Sequence, residues 1–140
     1  MKKFKNVIAC LASIVTVATG VGSMSASAYS VENDSTNVNP SGTLYGDIDL
    51  SWYSPAGGVN VYTITATTSV SGVTGSYYLV TKLDLRNYPS GTLRQSAEGG
   101  SSASVSGGYT YGNKGRAYST HEVRGSGTAV LYLESPVLNV

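Results

Sequence analysis

Residues 43–53 read TLYGDIDLSWY, and their alternation decides the fold class. In an extended chain, Leu44, Ile48, Leu50 and Trp52 fall on one side, while Tyr45, Asp47, Asp49, Ser51 and Tyr53 fall on the other. A period of two over this length is the mark of a strand with one buried and one wet face.

The same reading extends toward the C-terminus. Ser54, Pro55, Ala56, Gly57 and Gly58 are turn formers, and residues 59–70 follow as a strand rich in β-branched side chains. After a turn at 72–75, residues 76–85 alternate again, with Tyr77, Leu79, Leu83 and Leu85 opposed to Tyr78, Val80, Lys82 and Asp84. Residues 86–91 hold Asn87, Pro89 and Gly91, a turn, and 92–97 is a short strand ending at Glu98, Gly99 and Gly100. Residues 103–111 and 116–124 flank Gly112, Asn113, Lys114 and Gly115, which suggests a tight hairpin. Residues 128–133 are apolar on both faces and read as a central strand.

No stretch between these turns has helical periodicity, and no internal repeat is present. Six or seven strands with turn signals at roughly 8 to 12 residue intervals predict an all-β antiparallel sandwich of immunoglobulin-like outline, with a small barrel as the alternative. The expected domain is 43–140, preceded by a polar arm at 29–42 that holds Asn33, Asp34, Asn37, Asn39 and Pro40.

Residues 1–28 have the layout of a cleaved secretory signal peptide. Lys2, Lys3 and Lys5 precede an apolar run at 7–22, and Ser23 to Ala28 ends in an A-x-A exit. Thr16, Thr19, Gly20 and Gly22 interrupt the run and argue against an uncleaved anchor, and Cys10 lies too close to Lys5 for a lipoprotein leader. This leader resembles those of secreted proteins of Gram-positive bacteria, which implies export to the extracellular medium.

Cleavage after Ala28 would leave a chain without cysteine or phenylalanine but with all eleven tyrosines and Trp52. Three of nine basic residues leave with the leader, so six face eight acidic ones and the net charge becomes −2. Disulfides, thiol chemistry and electrostatic capture of nucleic acid are therefore not expected.

Catalytic chemistry has little to work with. His121 is the single imidazole, and no Gly-x-Ser-x-Gly elbow accompanies it, so a packed or surface histidine is the ordinary reading. One histidine and no cysteine cannot hold zinc or iron, and no cofactor is expected. Asp47 and Asp49 share a strand face about 7 Å apart and raise calcium or a glycosidase pair, although solvated surface charges are the plainer account.

Tyrosine carries the candidate site. Were the turn at Asn113 and Lys114 to set a hairpin register, Tyr111 would lie opposite Arg116 and Tyr109 opposite Tyr118, four side chains on one amphipathic face. The ordinary alternative is that tyrosines fill the core of a domain without phenylalanine. A second pattern, Thr63, Thr65, Thr67 and Ser69 alternating with apolar residues, resembles a membrane-inserting hairpin spanning 59–85.

The expected function is thus a secreted, non-catalytic binding or surface-interaction module for a glycan, an envelope component or another protein. A small pore-forming or bacteriocin-like toxin is the alternative, and a proteinase inhibitor displaying residues 87–91 is a third. Oligomeric state is open at this stage.

Overall fold

The computed structural model describes the backbone of residues 26–54 and 58–140. All but the last three residues of the expected leader, Cys10 included, lie outside that range. Nine strands follow in order: β1 (Ala26–Asn37), β2 (Thr43–Tyr53), β3 (Val61–Ser71), β4 (Tyr77–Asn87), β5 (Leu93–Gly99), β6 (Ser102–Gly108), β7 (Lys114–Gly125), β8 (Ala129–Glu134) and β9 (Leu138–Asn139). No helix occurs among the described residues.

The strands form two antiparallel sheets packed face to face, a β-sandwich rather than a barrel. Sheet 1 has the order β1-β2-β3-β6 and sheet 2 the order β5-β4-β7-β8, with β9 pairing to β7 beyond the end of β8. The chain changes sheet between β3 and β4, between β5 and β6, and again between β6 and β7. These are the Greek-key crossings of an immunoglobulin-like outline.

β2 has the bounds its sequence pattern predicts, and its inward side chains Leu44, Ile48 and Leu50 are buried. They meet Ile64 of β3 and, from sheet 2, Leu83, Leu85, Val123, Leu131 and Leu133. Tyr62 is 1% exposed and sends its hydroxyl to Gln95 Oε1 at 3.4 Å. Burying a large side chain in this way contributes about 1.5–3 kcal/mol each.

Four expectations are corrected. The arm expected at 29–42 is mostly the edge strand β1, which pairs with β2 along its whole length. Backbone hydrogen bonds hold a polar edge strand with few apolar anchors, here Val31 against the core and Val38, 3% exposed. A bulge between Ser30 and Glu32 shifts the register in this strand.

The hairpin expected between 103–111 and 116–124 does not form, because β6 pairs with β3 while β7 pairs with β4 and β8. The turn falls earlier than expected, with the Asn113 N–H donating to the Thr110 carbonyl at 3.0 Å and Gly112 at a positive φ of 83°, and Lys114 and Gly115 already belong to β7. That turn carries the chain across the sandwich instead of back on itself. Each strand thereby buries its own inward residues, Ala103 and Val105 in sheet 1, Ala117 and Val123 in sheet 2.

The hairpin expected across 59–85 is likewise absent, since β3 and β4 belong to different sheets. β8, expected in the centre of a sheet, is an edge strand whose outward residues Val130 and Tyr132 are exposed.

Candidate binding face

Two places in this sandwich concentrate polar and aromatic side chains. The first is internal. His121 projects inward from β7, is fully buried, and lies against Gly46 of β2 so closely that a Cβ there would stand 2.6 Å from His121 Cδ2. Its Nδ1 is 2.8 Å from Thr68 Oγ1 on β3, and its Nε2 is 2.7 Å from Ser119 Oγ. Thr68 Oγ1 is in turn 2.6 Å from Thr81 Oγ1 on β4, which donates to the Gly100 carbonyl at 2.7 Å.

That terminal carbonyl orders every proton in the chain. Thr81 spends its hydrogen on Gly100, so Thr68 donates to Thr81 and must accept from His121 Nδ1–H. A neutral ring then leaves Nε2 as the acceptor for the Ser119 hydroxyl. Burial pushes the His121 pKa down to about 4. A serine and a histidine within hydrogen-bond reach here serve to satisfy buried polar groups between the sheets.

The second place is the outer face of sheet 2. β4 turns Tyr78, Val80, Lys82, Asp84 and Arg86 outward, opposite Arg124, Glu122, Thr120, Tyr118 and Arg116 of β7. Tyr132 of β8 lies opposite Thr120, which makes it a diagonal neighbour of Tyr118. Lys82, Asp84, Tyr118, Thr120 and Tyr132 surround a shallow depression of about 200 Å³ whose floor includes Ser119 and Leu133. Tyr132 is 74% exposed.

Guanidinium groups accompany the rings. Arg86 stands over Tyr118 with its Cζ 5.9 Å from the ring centre, and Arg116 stands over Tyr88 at 5.3 Å. Arg86 and Arg116 are paired across β4 and β7, so the two stacks are adjacent. Each of these cations also has a carboxylate: Arg86 binds Asp84 at 2.9 Å, and Arg116 binds Glu134.

The four residues expected to form one patch are divided. Tyr118 and Arg116 belong to the sheet 2 face. Tyr109 follows β6 at the end of the sandwich, where its ring meets Trp52 edge-on at 5.5 Å, and Trp52 meets Tyr62 at 6.3 Å. Tyr111 is 91% exposed in the crossing loop. Tyr132, Arg86 and Tyr88 were missed because the assumed hairpin supplied the wrong neighbour for β7. A signal for Tyr132 existed: an apolar outward face on β8 fits either a covered central strand or an exposed edge.

Asp47 and Asp49 do share the outer face of sheet 1, among short hydroxyl side chains such as Thr65 and Ser104, which are 2.9 Å apart. Asp47 accepts a hydrogen bond from Ser30 Oγ at 2.6 Å. Burial, and then the neighbouring Asp47 charge, raise the Asp49 pKa above the ordinary carboxylate value. No three His, Cys, Asp or Glu side chains converge as metal ligands among the described residues.

Comparisons with protein-family models, curated proteins and solved structures found no match for this chain. The class defined by fold and face is therefore a small antiparallel β-sandwich with an aromatic and guanidinium outer surface.

Proposed function

We propose that this protein is a secreted, non-catalytic binding or surface-interaction module that engages a glycan or another cell-envelope component through the outer face of sheet 2. One observation carries the reading: Tyr118 and Tyr132 stand at a surface depression, and Tyr132 remains mostly exposed on an otherwise well-packed sandwich. Amphipathic rings at such a place offer large contact area at small cost in side-chain entropy.

Export rests on the leader at 1–28, whose resemblance also favours a Gram-positive bacterial source. The absence of a catalytic constellation in the sequence favours binding over turnover.

Co-sedimentation of the purified protein with cell-wall preparations, insoluble polysaccharides and liposomes, at low and high salt, tests the proposal. Retention on wall or glycan that Tyr132→Ala abolishes is the expected result. Pelleting with liposomes alone, unaffected by Tyr132→Ala, would overturn it in favour of a membrane-active toxin.

A further inference from the structure

The charges around the depression select among ligands. β4 and β7 place four cations on the body of this face, and each is held by a carboxylate from β4, β5, β7 or β8. Lys82 pairs with Glu98 at 3.5 Å, Arg86 with Asp84, Arg116 with Glu134, and Arg124 with Glu122. Asp84 is further satisfied by Ser96 Oγ at 2.8 Å.

Lys114 has no such carboxylate, but it begins β7 six residues before Thr120, about 20 Å from the depression along the strand. Beyond a screening length of about 8 Å the body of the face therefore presents four positive and four negative charges, and no net field. An anionic ligand would have to displace carboxylates already in place, and a cationic one would have to displace guanidinium or ammonium groups. Neither gains from steering.

A neutral polyol fits these constraints. The C–H side of a sugar ring can lie on a tyrosine face, and its hydroxyls both donate and accept, so they can bond to an ion pair without breaking it. Lys82, Asp84 and Thr120 border the depression and supply those donors and acceptors, and Tyr118 and Tyr132 supply the rings. Arg86, which stacks on Tyr118, does not line the depression, so its guanidinium leaves the space between the two rings open.

Building on the binding role proposed above, we infer that the depression between Tyr118 and Tyr132 is a subsite for one ring of an uncharged polysaccharide. Binding to it is insensitive to salt.

Affinity electrophoresis of the whole protein tests this, in native gels containing neutral glucan, glucomannan or galactan, or the anionic polygalacturonate, at low and high salt. Retardation by at least one neutral polymer at both salt levels is expected. Tyr132→Ala and Tyr118→Ala should each weaken it tenfold or more, and Tyr111→Ala, in the exposed crossing loop, should leave it unchanged. Thermal unfolding of the variants confirms that they fold.

Three results would overturn the subsite. These are retardation by polygalacturonate alone that high salt removes, retardation by a neutral polymer that both variants retain, and no retardation by any neutral polymer. In the last case, Tyr132-dependent retention on cell-wall material would leave the binding role standing while the neutral subsite fails. Absence of retention there as well would remove both.

Discussion

His121 Nδ1 on β7 lies 2.8 Å from Thr68 Oγ1 on β3, a hydrogen bond that joins the two sheets through the middle of the core. Titration of this ring couples folding to pH. The pKa is lowered in the fold from 6.5 to about 4, so between these values the unfolded chain takes up a proton that the folded one refuses. Its contribution to stability is complete above about pH 6.5 and is lost as pH falls toward 4. The loss amounts to about 3 kcal/mol. Urea unfolding across this range should show a falling midpoint, and His121→Gln, although less stable throughout, should lose most of that slope. An equal slope in both proteins would contradict the assignment.

Gly46 holds the other side of the ring. Gly46→Ala would set a methyl group against His121 from β2, displacing either the ring or the strand. It should cost about 1–3 kcal/mol in chemical denaturation. Gly108→Ala, whose new Cβ would meet only Val59 Cγ1 at 3.6 Å, serves as the comparison and should be close to neutral.

Buried and exposed tyrosines should respond differently to truncation. Tyr62→Ala should lose about 3–5 kcal/mol, because the ring is enclosed beside Trp52. Tyr132→Ala and Tyr111→Ala should stay within about 0.5 kcal/mol of the parent. Tyr109 is half-buried against Trp52, and a double-mutant cycle between the two should return a coupling of about 0.5–1.5 kcal/mol. Zero coupling would show the edge-on contact to be energetically empty.

Asp49 titrates in the opposite sense from a paired carboxylate. Its raised pKa means that the fold disfavours the ionised form, so stability is lost as pH rises through the carboxylate range. Asp49→Asn should therefore raise the melting temperature at neutral pH, with the gain vanishing below about pH 3.8. A melting temperature lowered at neutral pH would show that the carboxylate has a favourable partner.

The period-two patterns at β2, β3 and β4 were legible in the chain because alternation reports a property each strand has alone: one face wet, one face dry. All-β class and most boundaries of the expected six or seven strands followed, as did the inward set Leu44, Ile48 and Leu50, while β1 and β9 bring the number among the described residues to nine. The pairing of strands was not legible. The sequence places a turn at Gly112 to Gly115 and one forms at Thr110 to Asn113, yet a turn bends the chain without stating which sheet receives the next strand.

That choice depends on where Ala103 and Val105 on one side, and Ala117 and Val123 on the other, find an apolar partner surface. It is settled only when all strands are present together. The candidate face depends on the same choice, since Tyr118 and Arg116 acquire Arg86 from β4, Tyr88 from the turn after it and Tyr132 from β8, residues 28 to 32 positions upstream and 14 to 16 positions downstream. Composition by itself determined that tyrosine would be the main aromatic in this sandwich. Only the packing of two sheets decided which tyrosines stabilise the core and which face outward, because burial is a property of the partner surface as much as of the side chain.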